Sequence, residues 1–172
     1  GYELAVHIAD VSHFVRPGTA LDDQAHHRGN STYLPRKVVP MLPELLSNGV
    51  CSLQEGVNRY CKSAIIQIDE DGAVLGQRFA NGVIKSDKRL TYLEAQALID
   101  GDLREARRNC ATSAKYPAPL IDTVKLMDEL ARVILARRQR DGMIELALPD
   151  VDLVYDEAGH VVAVDIVTDL FA

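Results

Sequence analysis

Three prolines within nine residues do most to limit what this chain can become. Between Tyr33 and Leu53 the sequence reads YLPRKVVPMLPELLSNGVCSL, and Pro35, Pro40 and Pro43 each fix φ and remove a backbone donor. Neither a regular helix nor a long strand can run through them, and Asn48-Gly49 predicts a turn further on. The segment reads as a shaped, irregular connection. Its aromatic Tyr33, its cations Arg36 and Lys37, and its apolar plug of Val38, Val39, Met41 and Leu42 are the contents of a functional loop rather than of a spacer.

On either side the pattern is regular. Leu4, Val6 and Ile8 alternate and lead into Val11, which predicts a strand in or near the core, ended by Pro17-Gly18. Thr19 caps an expected short helix to Arg28, with Asp22 and Asp23 in the first turn where the helix dipole favours negative charge. His26 and His27 are adjacent, lack the i, i+4 spacing of a helical zinc pair, and read as surface residues. Two hairpins are expected: Tyr60–Ile68 with Ala73–Phe79 about Asp69-Glu70-Asp71-Gly72, and Val151–Val167 about Asp156-Glu157-Ala158-Gly159. The first acidic turn lacks the further ligands of an EF-hand, so it reads as a turn with Gly72 at positive φ.

Between the hairpins, Thr91 and Glu94 form a capping box ahead of a helix to Ile99, stopped at Asp100-Gly101. Residues 103–118 read as a polar, exposed loop, with Tyr116-Pro117-Ala118-Pro119 enforcing extended backbone. The longest helix is expected over Leu120–Arg140, with Leu120, Val124, Met127, Leu130 or Ala131, and Ile134 on one stripe. Its Arg132, Arg137, Arg138 and Arg140 either face phosphates or complement the helix dipole, and the solvated face is the favoured reading. Together these predict an α+β fold, a mixed sheet and hairpins with packed helices.

Composition narrows the class. No apolar run has the length of a membrane helix, and the N-terminus lacks a basic region followed by an apolar one, so a cytoplasmic protein with no membrane partner is expected. Cys51, Cys61 and Cys110 are odd in number and lack CxxC spacing, which argues against a disulfide framework and a zinc site. The formal charge of −6 has the wrong sign for nucleic-acid binding through bulk electrostatics; such binding requires a local groove, a bound cation that offsets carboxylates, or basic surface from other domains.

Four blocks, HIADVSHFV, RGNSTYLP, VPMLPELLSNGVCSL and KSDKRLTYLEAQALIDG, occur here in one order, and in that order they resemble the catalytic (RNB) domain of the ribonuclease II and ribonuclease R family. The resemblance implies a processive 3′-to-5′ exoribonuclease that degrades single-stranded RNA to nucleoside monophosphates with Mg²⁺. It covers nearly the whole chain and implies a single partial RNB domain over residues 1–172, truncated at both ends. The family's metal-binding aspartates, of the form DxxxxxDxDD, have no match in this sequence; Asp150, Asp152 and Asp156 read as structural, and no catalytic or metal residue is assigned.

The resemblance implies that Tyr33 stacks on a base near the RNA 3′ end. Arg28, five residues earlier, either pairs with a phosphate or forms a structural salt bridge. Arg36 and Lys37 stand where an acidic residue commonly follows the proline, a departure that either adds phosphate contact or carries no function. Asp10 reads as a structural hydrogen-bonding residue rather than an extra ligand. A fragment of a larger core is expected to expose apolar patches, to self-associate and to be inactive alone. Two other readings stay open: an RNA-binding or regulatory relative without a metal site, and a plain globular module, which requires Tyr33 to be buried.

Overall fold

The computed structural model describes residues 1–34, 37–146 and 150–167. The chain divides into two compact units, Gly1–Arg137 and Arg138–Ala172. The first is built on a three-stranded antiparallel sheet in the order β1-β4-β5, formed by Tyr2–Ala9, Asn58–Ile68 and Val74–Lys85. β4 and β5 form the expected hairpin. Asp69 makes its turn by accepting from the amides of Asp71 and Ala73 at 3.0 and 2.7 Å, with Gly72 at φ 86°. The second unit contains the other expected hairpin, β6 (Asp150–Tyr155) with β7 (Val161–Val167), turned at Gly159.

Helix ends follow the local rules closely. α2 runs Ala20–Arg28 and is capped by Thr19, whose hydroxyl accepts from Asp22 N. α3 runs Tyr92–Asp100 behind a complete Thr91–Glu94 capping box and stops at Gly101 in the left-handed region. α5 runs Ala118–Arg140. The core of the first unit sits around α3 and α5: Ala97, Leu98, Ala106 and Val124 are buried together, with Leu90, Tyr116 and Leu120 packed around them.

Elsewhere the structure departs from the sequence reading. Val11 is not the end of a strand: β1 stops at Ala9, and Asp10 caps a short helix α1 (Val11–Phe14) by accepting from His13 N and the Ser12 hydroxyl. Residues 103–118 are not all loop. α4 (Leu103–Arg108) is capped by Asp102, which accepts from Arg104 N and Glu105 N, and it buries Ala106 against α3. At six residues α4 is too short for apolar periodicity to reveal it.

The proline-rich segment forms a third hairpin, β2 (Thr32–Leu34) with β3 (Lys37–Val39), followed by a π-helix at Leu45–Val50. Asn48-Gly49 lies inside that π-helix instead of making a turn. The i→i+5 bond from Cys51 N to Leu46 O, 3.1 Å, carries the chain through it.

The expected apolar stripes are only partly covered. Val6 and Ile8 on β1 share a sheet face with Phe79 and Val83 on β5, and all four are exposed, Phe79 at 75%. On α5, Val124 and Leu130 are buried while Met127 is exposed. No helix among the described residues is long and apolar enough to cross a membrane.

Candidate nucleic-acid interface

The β2–β3 hairpin presents Tyr33. Thr32, Tyr33 and Leu34 pair with Val39, Val38 and Lys37, so Tyr33 shares a ribbon face with Val38 while Lys37 lies on the opposite face with Leu34. Tyr33 is 79% exposed, an unusual state for a tyrosine. Tyr33 and Lys37, both in the proline-rich loop, are sent by strand pairing to opposite sides of a thin ribbon. Arg36 lies outside the described residues.

Two bonds hold the hairpin's base. Arg28, the last residue of α2, donates from Nη1 to the carbonyl of Pro40 at 2.7 Å, and Met41 N donates to the Ser31 hydroxyl at 2.9 Å. Arg28 therefore braces the exit of β3 against a backbone carbonyl, in place of the salt bridge weighed as its structural role. Beyond the π-helix, Arg59 of β4 gathers the returning chain. Its guanidinium donates to Ser52 O at 2.9 Å, Gln54 Oε1 at 3.1 Å and Gly49 O at 3.5 Å.

Two of the α5 arginines are engaged within the first unit. Arg132 pairs with Asp128 one turn earlier at 2.9 Å, and Arg137 donates to Gly72 O at 2.8 Å, joining the helix to the β4–β5 turn. His26 and His27 are exposed on α2.

The most enclosed charges were not legible from motifs. Lys88, with its side chain 4% exposed, donates to the Thr112 hydroxyl at 2.5 Å and the Ser113 carbonyl at 2.6 Å. It lies 3.6 Å from Glu55 and 3.9 Å from Glu94. Glu94 is fully buried; it accepts from Tyr116 OH at 2.8 Å and from its own capping partner Thr91 N at 3.2 Å. Glu55 accepts from Arg89 N at 3.0 Å and the Thr112 hydroxyl at 2.6 Å, and these bonds hold its pKa below the usual carboxylate value. Burial, then the bond to Glu94, pushes the Tyr116 phenol well up. The network straps residues 109–116 across the start of α3 and the chain after the π-helix.

Magnesium would need clustered carboxylates. Asp10 is committed to Ser12 and His13 N, with Lys62 at 3.5 Å, and these contacts lower its pKa. Among the described residues no three His, Cys, Asp or Glu side chains are grouped to hold an ion. The described residues do not fit a magnesium centre.

The chain belongs to the RNB domain family, whose profile matches residues 1–172. Among its relatives, ribonuclease R of Thermotoga maritima is 41% identical over 162 residues, which is 94% of this chain and 22% of that protein. The apo RNase R of Mycoplasma genitalium superposes with a TM-score of 0.85 at 30% identity, over 97% of this chain and 25% of that one. The same enzyme in complex with ribose methylated single-stranded RNA gives the same score, identity and coverage. The chain thus spans about a quarter or less of the length of these relatives.

Proposed function

We propose that this chain is part of a processive, Mg²⁺-dependent 3′-to-5′ exoribonuclease of the cytoplasm, acting on single-stranded RNA, and that its own share of the task is to hold the strand. The observation that carries this reading is the exposure of Tyr33. A plain globular module would bury that ring; here it stands free on a hairpin with Val38 beside it. Stacking suits an enzyme that accepts any sequence, because every base offers a π face. Relatives named ribonuclease R, one of them solved with single-stranded RNA, support the same reading. In this reading Lys37 and Arg28 meet phosphates on flanking sides of the hairpin, with Arg36 between them in sequence. The metal-holding carboxylates come from residues other than those described.

The test is an RNA decay assay with a 5′-labelled single-stranded oligonucleotide and Mg²⁺, comparing the 172-residue chain with one extended at both ends. A 3′-to-5′ ladder ending in a short limit product from the extended chain alone is the expected result. Binding without cleavage by both chains would leave an RNA-binding module; cleavage by the short chain would show that it holds a metal site after all.

A further inference from the structure

A polar cleft of about 590 Å³ lies at the foot of the π-helix, walled by Asn48, Ser52, Gln54, Glu55, Arg89 and Thr112. Its hydrogen-bonding capacity is uneven. Glu55, the acidic residue of the wall, has its Oε2 taken up by Arg89 N, the Thr112 hydroxyl and the Lys88 ammonium. Gln54 is likewise engaged at both ends, Oε1 by Arg59 and Nε2 with Asn48 O. Two exposed groups remain without a hydrogen bond or ion pair among the described residues: the guanidinium of Arg89 and the carboxamide of Asn48.

Both are carried on fixed backbone. Arg89 is tied through its own N–H to Glu55, and Asn48 sits in the π-helix with its carbonyl accepting from Gln54. The Arg59 guanidinium adds a second positive charge along the same loop. A preorganised cleft whose carboxylate oxygen is already occupied by donors, and which carries a free guanidinium on its wall, suits an anion with planar or forked oxygens. On the reading that this chain holds RNA, we propose that the cleft is a second contact for the strand, in which Arg89 takes a phosphodiester and Asn48 an adjacent ribose or phosphate oxygen. A local groove of this kind reconciles RNA binding with a net charge of −6.

Fluorescence anisotropy with a 5′-labelled single-stranded oligoribonucleotide tests it, using the 172-residue chain and its Arg89→Gln and Arg89→Lys variants across a salt series. Arg89→Gln is expected to weaken binding about tenfold at low salt and to reduce the salt slope by about 1, with Arg89→Lys restoring the slope. The melting temperature should stay unchanged, because Glu55 is held by the Arg89 backbone and not by its side chain. If the wild-type chain binds and Tyr33→Ala weakens it while Arg89→Gln changes neither affinity nor slope, the cleft is overturned and the strand-holding reading stands. If the wild-type chain binds no RNA, both fall.

Discussion

Tyr116 donates a 2.8 Å hydrogen bond to Glu94, a carboxylate with no solvent exposure that lies twenty-two residues earlier in the chain. Removing one donor from a buried carboxylate leaves part of its desolvation unmatched, so Tyr116→Phe is expected to cost about 1–3 kcal/mol. Lys88→Met, which strips the only cation facing Glu94 and Glu55 in this network, should cost about 3 kcal/mol or more. Urea unfolding at neutral pH measures both, and a Tyr116→Phe midpoint equal to wild type would show that the network contributes nothing.

Glu55 makes stability depend on acid. Arg89 N and Thr112 depress its folded pKa below the ordinary value of 4.5, so the unfolded state binds the proton more readily. Its contribution is therefore complete above the unfolded value and is lost as pH falls through the depressed folded value. Thermal melts taken from neutral pH down to about pH 3 should show a decline beginning near the unfolded pKa, and Glu55→Gln should flatten that part of the curve. An identical acid limb in the variant would assign the decline to other carboxylates.

Gly72 sits where a side chain would be strained and crowded. Its φ of 86° is strained for any L residue, and a Cβ would lie 3.1 Å from Val133 O and 3.3 Å from the Arg137 Cβ. Gly72→Ala should destabilise by about 1–3 kcal/mol and loosen the seat of α5 on the β4–β5 turn. Calorimetry combined with amide exchange at residues 69–73 would reveal either effect.

Tyr33→Ala separates a stacking platform from a packing residue. With its ring already in solvent, truncation should change stability by less than about 0.5 kcal/mol, while single-stranded RNA affinity falls by about 1–3 kcal/mol. Loss of stability without loss of affinity would favour the plain globular module.

The uncovered sheet face carrying Val6, Ile8, Phe79 and Val83 is a surface that water disfavours, and the isolated chain is expected to associate through it. Sedimentation velocity over a concentration series should show a rising mass, reduced by Phe79→Lys. A single monomeric species at every concentration would count against this expectation.

What could be read from the sequence was local. Thr19 and Asp22, Thr91 and Glu94, and Asp69 through Gly72 interact within one turn of the chain, so their residue types alone specify the caps and the hairpin turn. The family resemblance was legible for a related reason, since its blocks are short continuous stretches. α4 escaped because six residues are too few for a periodic signal, and the π-helix because its extra residue per turn has no local signature in LLSNGV.

The remaining features depended on residues far apart. Glu94 reads as half of a capping box, yet its burial and its bonds to Tyr116 and Lys88 exist only because the 109–116 segment folds back over α3. Tyr33 and Lys37 stand four residues apart in one loop, and only the register of β2 on β3 puts them on opposite faces. The sequence by itself determined where the elements begin, turn and stop, because those rules act over three or four residues. Only the tertiary structure decided which side chains are buried, paired or left free, because burial and ion pairing follow distances in space that the order of residues does not contain.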